Sequence, residues 1–144
     1  MTGPGRLVIP SEVYDGMVQH CIEGMPNEAC GFLGGRDGFA GRLYRMTNAA
    51  ASPVFYRPDD REMLAALKDM DDSGLDVASI FHSHVATPAY PSPTDIREAH
   101  YPDAVYVIVS LADREKPYAA GFLIHKQDWR DATGEVEEVE LVVE

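Results

Sequence analysis

Cysteine is scarce in this chain: two occur among 144 residues, at positions 21 and 30. Neither belongs to a C-x-x-C pair, so no disulfide framework is expected. Long hydrophobic runs are missing as well, since the longest, Ala104 to Ala112, contains a serine and is too short to span a bilayer. The first residues, M-T-G-P-G-R, lack the apolar core of a signal peptide. We therefore expect a cytoplasmic protein.

Basic residues are also few. Lysine and arginine total 12 against 24 acidic residues, which gives a formal net charge of −12. The isoelectric point is about 4.7. Proteins that bind nucleic acid or anionic membranes usually present a basic patch to phosphate. The charge balance therefore argues against both kinds of partner.

A length of 144 residues suits one domain, and 45% hydrophobic with 25% charged residues is typical of a soluble globular protein. We expect a flexible N-terminus over residues 1–5 and a single domain over residues 6–144. Strand and helix patterns follow one another without strict βαβ alternation. They predict an α/β fold, in which helices pack on a sheet of mixed direction.

Hydrophobic periodicity and turn residues place the elements along the chain. Helices should begin near Ser11, Asp59 and Ser92. Gly34-Gly35 should close the second strand, and the acidic last strand should be a sheet edge that discourages aggregation or an edge open to a dimer. The predicted strands cover 6–9, 28–33, 41–46, 77–81, 104–110, 118–125 and 136–143, with a short β-prone stretch at 54–56.

The stretch from residue 81 to 95, F-H-S-H-V-A-T-P-A-Y-P-S-P-T-D, contains the clearest chemical signal. Side chains two apart on a strand share a face, so His82 and His84 can point two imidazoles at one ligand. With Asp95 they form a three-ligand set suited to zinc, which leaves a fourth position for water as in catalytic sites. Two plainer interpretations remain open: the pair merely ends a core strand, and Ser92 and Asp95 are ordinary helix-capping residues.

Hydrolysis by such a site also needs a group that accepts a proton from water. Glu28 is a candidate, because it enters the apolar stretch A-C-G-F-L and burial there would raise its pKa. A surface glutamate at the start of a strand fits equally well. Cys30 lies two residues further on, so on a strand it would share the face of Glu28. It could ligate the zinc and inhibit it, although a small buried residue is the favoured interpretation.

His82, His84, Ser92 and Asp95 form the pattern H-x-H-x7-S-x2-D, with Glu28 upstream in P-N-E-A-C-G-F-L-G-G. Together they resemble the JAMM (MPN+) zinc metalloproteases. The stretches T-N-A-A-A-S-P-V-F-Y and P-D-A-V-Y-V-I-V-S are similar to those of small prokaryotic members, above all the actinobacterial Mec type. The likeness spans roughly residues 7 to 125.

The resemblance implies a curved mixed β-sheet with flanking helices, and Zn²⁺ held by His82, His84 and Asp95. It also implies that Glu28 acts as general base and then general acid, and that Ser92 donates a hydrogen bond to the oxyanion. The substrate would be a small ubiquitin-like sulfur-carrier protein. Cleavage after its C-terminal Gly-Gly would release cysteine, as a step of cysteine biosynthesis.

A tail that ends in Gly-Gly would be recognised mainly through its backbone, as an added strand. We expect the segments 54–57 and 85–91, the second with Tyr90, to wall its channel. The alternative is a non-catalytic MPN-type module that binds a ubiquitin-like protein. A zinc deaminase would need H-x-E with P-C-x-x-C, which the sequence lacks. The carrier, the leaving group and the oligomeric state, including a homodimer, stay open.

Overall fold

The computed structural model describes residues 5–144. The flexible N-terminus predicted for residues 1–5 therefore lies outside the described residues, apart from Gly5. The division into this segment and a domain over 6–144 stays a prediction. Residues 5–144 form seven strands and three helices: β1 Arg6–Ile9, α1 Ser11–Gly24, β2 Cys30–Arg36, β3 Phe39–Met46, α2 Asp60–Asp72, β4 Asp76–His84, α3 Pro93–Arg97, β5 Val105–Ser110, β6 Tyr118–His125 and β7 Glu135–Val143.

The seven strands form one sheet of mixed direction that closes on itself in the order β1-β3-β2-β4-β5-β6-β7. β4 pairs with β5 in parallel, and β1 pairs in parallel with both β3 and β7. The remaining neighbours are antiparallel. The predicted single α/β domain with a mixed sheet and packed helices is confirmed, whereas the closure of the sheet was not predicted.

The expectation that the last strand is a sheet edge is wrong. β7 pairs with β6 through Gly121 and Val139, and with β1 through Leu7 and Leu141. Its alternating glutamates lie at exposed positions, whereas Val139 is buried in the core. Such alternation describes which face of a strand meets water, but it does not indicate how many neighbours the strand has.

Two smaller expectations also fail. β2 does not stop at Gly34-Gly35 but continues to Arg36, with a shift of register at these glycines. A Cβ at position 35 would collide with the backbone oxygen of Phe39, so glycine permits the close approach rather than ending the strand. The β-prone stretch 54–56 is not a strand, and it lies in a loop closed by an isolated bridge between Asn48 and Pro58.

β4 lies between β2 and β5 and so has a strand on each side, as its apolar sequence predicts. Phe81 belongs to the core cluster that contains Met17 and Cys21 of α1. Ile80, on the opposite face, belongs to the cluster that contains Met70 of α2. Because side chains alternate along a strand, His82 and His84 lie on the α2 face. None of the helices in residues 5–144 combines the length and apolar character needed to cross a membrane.

Candidate active site

His82 and His84 occupy the end of β4, where strands lie on both sides. His82 is opposite Cys30 of β2 and Ile108 of β5 in the hydrogen-bonded register. The two histidines are almost completely buried, at 1% and 5% exposure. Their Nε2 atoms lie 3.3 Å apart. The strand therefore brings the two imidazoles to one point, as their spacing predicts.

Asp95 reaches the same point from the start of α3. Its backbone N–H donates to Ser92 Oγ at 3.0 Å, and its Oδ2 accepts from the backbone N–H of Ser92 at 2.9 Å. This reciprocal capping box fixes the carboxylate. The same Oδ2 lies 3.0 Å from His84 Nε2 and 3.2 Å from His82 Nε2. The capping role and the ligand role that the sequence left as alternatives are thus compatible in one side chain.

The three side chains suit a metal ion. Their ligand atoms all lie within 4.8 Å of one another. Ligands bonded at about 2.0–2.1 Å in a tetrahedral arrangement lie about 3.3–3.4 Å apart, close to the separations seen here. His84 Nδ1 lies 2.9 Å from the carbonyl oxygen of Pro88, to which it must donate. Because Nδ1 donates to Pro88, Nε2 donates to Asp95 when the imidazole is protonated and offers a lone pair to a cation when the imidazole is neutral.

Burial and contacts with neighbouring groups shift the pKa values of these three side chains in opposite directions. Burial lowers the pKa of His82 below its ordinary value. Burial alone would raise the pKa of Asp95, but hydrogen bonds from His82 and His84 hold it well below its usual range. For His84, burial lowers the pKa, and the contacts with Asp95 and Pro88 outweigh this and raise it. An ionised carboxylate among buried imidazoles is the charge state that a divalent cation needs.

Glu28 lies two residues before the first residue of β2, and its side chain is turned inward with 6% exposure. Burial, assisted by the negative charge of Asp95, raises the pKa of Glu28 to about 8. Its Oε1 is buried and has no hydrogen-bond partner within residues 5–144. The charges of Asp95 and His84 act on this carboxyl group, which therefore lies near the His-His-Asp cluster, and the surface-glutamate interpretation does not fit.

The backbone beside Glu28 is tied directly to the strand that carries the histidines. The N–H of Ala29 donates to Ser83 Oγ at 2.9 Å, and the N–H of Ser83 donates to the Ala29 oxygen at 3.0 Å. Ser83 is the residue between His82 and His84. Its side chain points to the opposite face of β4, so it connects the two segments without entering the cluster.

Ser92 uses its hydroxyl oxygen as an acceptor in the helix cap. The O–H proton is not used by the cap, because a hydroxyl offers one donor beside its lone pairs. It donates to no acceptor in the part of the chain that the structure describes. Capping and a donor role toward a bound substrate can therefore coexist.

Comparison with known proteins assigns the family. The family of prokaryotic homologs of the JAB domain matches residues 10–130. The chain belongs to this family. A CysO-cysteine peptidase of Mycobacterium tuberculosis is 46% identical over 109 residues, which are 74% of this chain and 75% of that protein. A desampylase of Pyrococcus furiosus is 31% identical over 138 residues, which are 96% of this chain and 91% of that protein.

Solved structures also resemble this chain. The solution structure of protein DSY2949 from Desulfitobacterium hafniense superposes with a TM-score of 0.82 and 40% sequence identity. The match covers 96% of this chain and 92% of that one. The JAMM-type resemblance inferred from the motif is confirmed for the family and for the fold.

The two predicted wall segments both reach the histidines. Pro88 of the segment 85–91 accepts the hydrogen bond from His84, and Tyr56 of the segment 54–57 stacks on His82 with ring centroids 4.4 Å apart. Val54 is 77% exposed, and Tyr90 is 58% exposed with its ring edge-on to Phe122. That these segments wall a substrate channel stays a prediction.

Cys30 fits the buried-residue interpretation. It is fully buried, its Sγ contacts the backbone oxygen of Thr47 at 3.9 Å, and burial raises its pKa to about 12. Within residues 5–144 the ligand cluster contains His82, His84 and Asp95 but not this thiol.

The sequence did not single out Asn48, and it predicted no contact between Tyr56 and a site residue. Asn48 forms four hydrogen bonds in the loop before α2. The signal for Asn48 was an asparagine at the head of a loop of small residues, a common Asx-turn position.

Proposed function

We propose that this chain is a zinc-dependent hydrolase that cleaves the peptide or isopeptide bond after the C-terminal Gly-Gly of a ubiquitin-like sulfur-carrier protein. The observation that carries the proposal is the convergence of His82, His84 and Asp95 near Glu28, whose buried Oε1 has no hydrogen-bond partner within residues 5–144. The first three are the proposed metal ligands. Glu28 and Ser92 are the proposed catalytic residues.

The substrate class is suggested by relatives whose names describe related reactions. They are a CysO-cysteine peptidase, desampylases and a probable TtuB-protein conjugate cleaving protease of Thermus thermophilus. The last is 34% identical over 96 residues, which are 66% of this chain and 64% of that protein. We extend this to a carrier conjugate as substrate and to release of cysteine for cysteine biosynthesis. A cytoplasmic location belongs to the same proposal.

Zinc, when bound, would act as a Lewis acid and lower the pKa of a water molecule. Glu28 would accept a proton from water at its Oε1, since that buried oxygen has no hydrogen-bond partner within residues 5–144. A group whose pKa lies near neutrality can both take up and release a proton. Glu28 then delivers the proton to the leaving amine.

Ser92 acts on the carbonyl side of the scissile bond. Its free O–H donates to the oxyanion of the tetrahedral intermediate while its lone pair still caps α3. The capping box holds Ser92 and Asp95 in one rigid turn. Oxyanion donor and metal ligand therefore keep a constant separation during the reaction.

The test uses the purified full-length protein, loaded with Zn²⁺, and a Gly-Gly-ending carrier that bears a C-terminal cysteine. Mass spectrometry should show loss of the cysteine with the wild-type protein. Asp95→Ala should lose metal and activity together. Glu28→Gln should retain about one zinc per chain and lose turnover, because only the proton acceptor is removed.

Three results would contradict the proposal in whole or in part. An intact adduct after incubation with zinc-loaded protein would exclude the hydrolase on this substrate, and a lysine-linked conjugate tested in parallel separates peptide from isopeptide specificity. Turnover retained by Glu28→Gln would assign the base elsewhere. Protein that is purified without chelator, carries less than about one zinc per chain and binds the carrier without cutting it would favour the non-catalytic module. The homodimer stays a prediction of the sequence.

A further inference from the structure

The two histidines of the site differ in how their rings are held. Metal-binding histidines usually donate their second N–H to a carbonyl or carboxylate, which fixes the ring for coordination. His84 follows this rule through Pro88. His82 does not: its Nδ1 is buried and has no hydrogen-bond partner among residues 5–144. No hydrogen bond between Nδ1 and the described part of the chain therefore fixes the ring of His82 from behind, and its Nε2 is the atom that faces the cluster.

Tyr56 contacts the ring of His82 instead. Its ring lies almost parallel to the imidazole of His82, with 4.4 Å between centroids and 19° between planes. Stacked aromatic rings attract each other beyond the effect of burial alone, and this geometry leaves His82 Nε2 pointing at the cluster. Tyr56 also packs against the core cluster beneath α2, so its ring has a fixed support.

Asn48 fixes the backbone on both sides of Tyr56. Its Nδ2 donates to the oxygen of Phe55 at 2.9 Å, and its Oδ1 accepts from the N–H of Arg57 at 3.0 Å. The same Nδ2 also donates to the backbone oxygen of Glu28 at 2.9 Å. One amide group therefore joins the segment that carries the proposed base to the segment that covers His82.

We propose that Tyr56 is a positioning residue that holds the ring of His82 by stacking, and that Asn48 acts through it by fixing residues 55–57. This inference rests on the proposed function, because the proposed function is what gives His82 a metal to coordinate. It assigns neither residue a direct contact with substrate. The stacked ring takes the place of the missing hydrogen bond at His82 Nδ1.

The experiment measures Zn²⁺ affinity of the full chain by competition with a chromophoric chelator. Tyr56→Leu should weaken binding about tenfold, whereas Tyr56→Phe, which keeps the ring, should stay within about twofold of wild type. Asn48→Ala should weaken binding similarly. The double variant Asn48→Ala/Tyr56→Leu should bind no more weakly than the weaker single variant, because both changes remove one support. Thermal melting of each metal-free variant checks folding.

A second measurement separates positioning from general destabilisation. The visible spectrum of bound Co²⁺ reports coordination geometry and should change in Tyr56→Leu but not in Tyr56→Phe. Equal zinc affinity and an unchanged Co²⁺ spectrum in Tyr56→Leu would overturn the inference while leaving the proposed function intact. Equal losses in Tyr56→Leu and Tyr56→Phe would overturn it too, by assigning the effect to the hydroxyl. If Tyr56→Leu fails to fold, Asn48→Ala decides in the same way. A wild-type protein that binds no zinc would overturn both proposals.

Discussion

Replacing Glu28 with glutamine should stabilise the metal-free protein, and the gain should depend on pH. Burial raises the pKa of Glu28 from 4.5 to about 8. At about 1.4 kcal/mol per pKa unit, the change corresponds to about 5 kcal/mol of preference for the neutral form in the folded state. Water at the open side of the site screens the charge, so we expect about 2–4 kcal/mol in the free energy of unfolding.

The direction follows from proton linkage. The folded state keeps the proton of Glu28 up to about pH 8, whereas the unfolded chain loses it near pH 4.5. Wild-type stability from this group is therefore complete below pH 4.5 and lost as the pH rises through 8. Glutamine cannot ionise, so the advantage of Glu28→Gln should be near zero at acidic pH, grow from about pH 5 and level off above pH 8.

Urea unfolding of chelator-treated protein at several pH values measures this difference. Glu115→Gln, at an exposed position, is the matched control and should show no such trend. Added zinc should shrink the advantage, since a nearby cation favours the ionised carboxylate. A difference between wild type and Glu28→Gln that is the same at all pH values would refute the reasoning that burial keeps this carboxyl group protonated.

Two further predictions concern Ser92 and Gly31. Ser92→Ala removes both the cap of α3 and the proposed oxyanion donor, so the free energy of unfolding should fall by about 1 kcal/mol and kcat by about 10²–10³-fold, with little change in KM. Ser92→Thr keeps the hydroxyl and should recover most of the stability and most of kcat. An unchanged kcat in Ser92→Ala would reject the donor role. Gly31→Ala would place a Cβ against the ring of Phe81 and the backbone oxygen of Tyr44, so chemical denaturation should show a loss of about 2–3 kcal/mol, whereas Gly5→Ala, with open space around it, should be neutral. A fully stable Gly31→Ala would show that β2 can shift away from both of its neighbours, β3 and β4.

Local patterns predicted the parts of the site that depend on short stretches of chain. His82 and His84 share a face because a strand has a two-residue period, and Asp95 is fixed by a cap that its own neighbours form. Glu28 was a candidate only because an acid preceded an apolar run. Its place beside the histidines depends on the pairing of β2 with β4, which no local pattern specifies.

The remaining contacts could not be predicted from the sequence for the same reason. Tyr56 meets His82 across a loop without regular structure, and Asn48 binds backbone atoms of four separate residues, so neither leaves a periodic signal. Alternation along β7 predicted a sheet edge, but alternation describes exposure alone and not the number of neighbouring strands. Its second neighbour is β1, from the other end of the chain, and such pairings are decided by the whole fold.

The bond between Ala29 and Ser83 has a consequence for how activity arises during folding. His84 and Asp95 are 11 residues apart, whereas Ala29 and Ser83 are 54 apart. Closing the longer loop costs more entropy, so the proposed base joins the histidine–aspartate group through the costlier of the two contacts. In the proposed enzyme, hydrolysis therefore requires the long-range pairing of β2 with β4 to be complete.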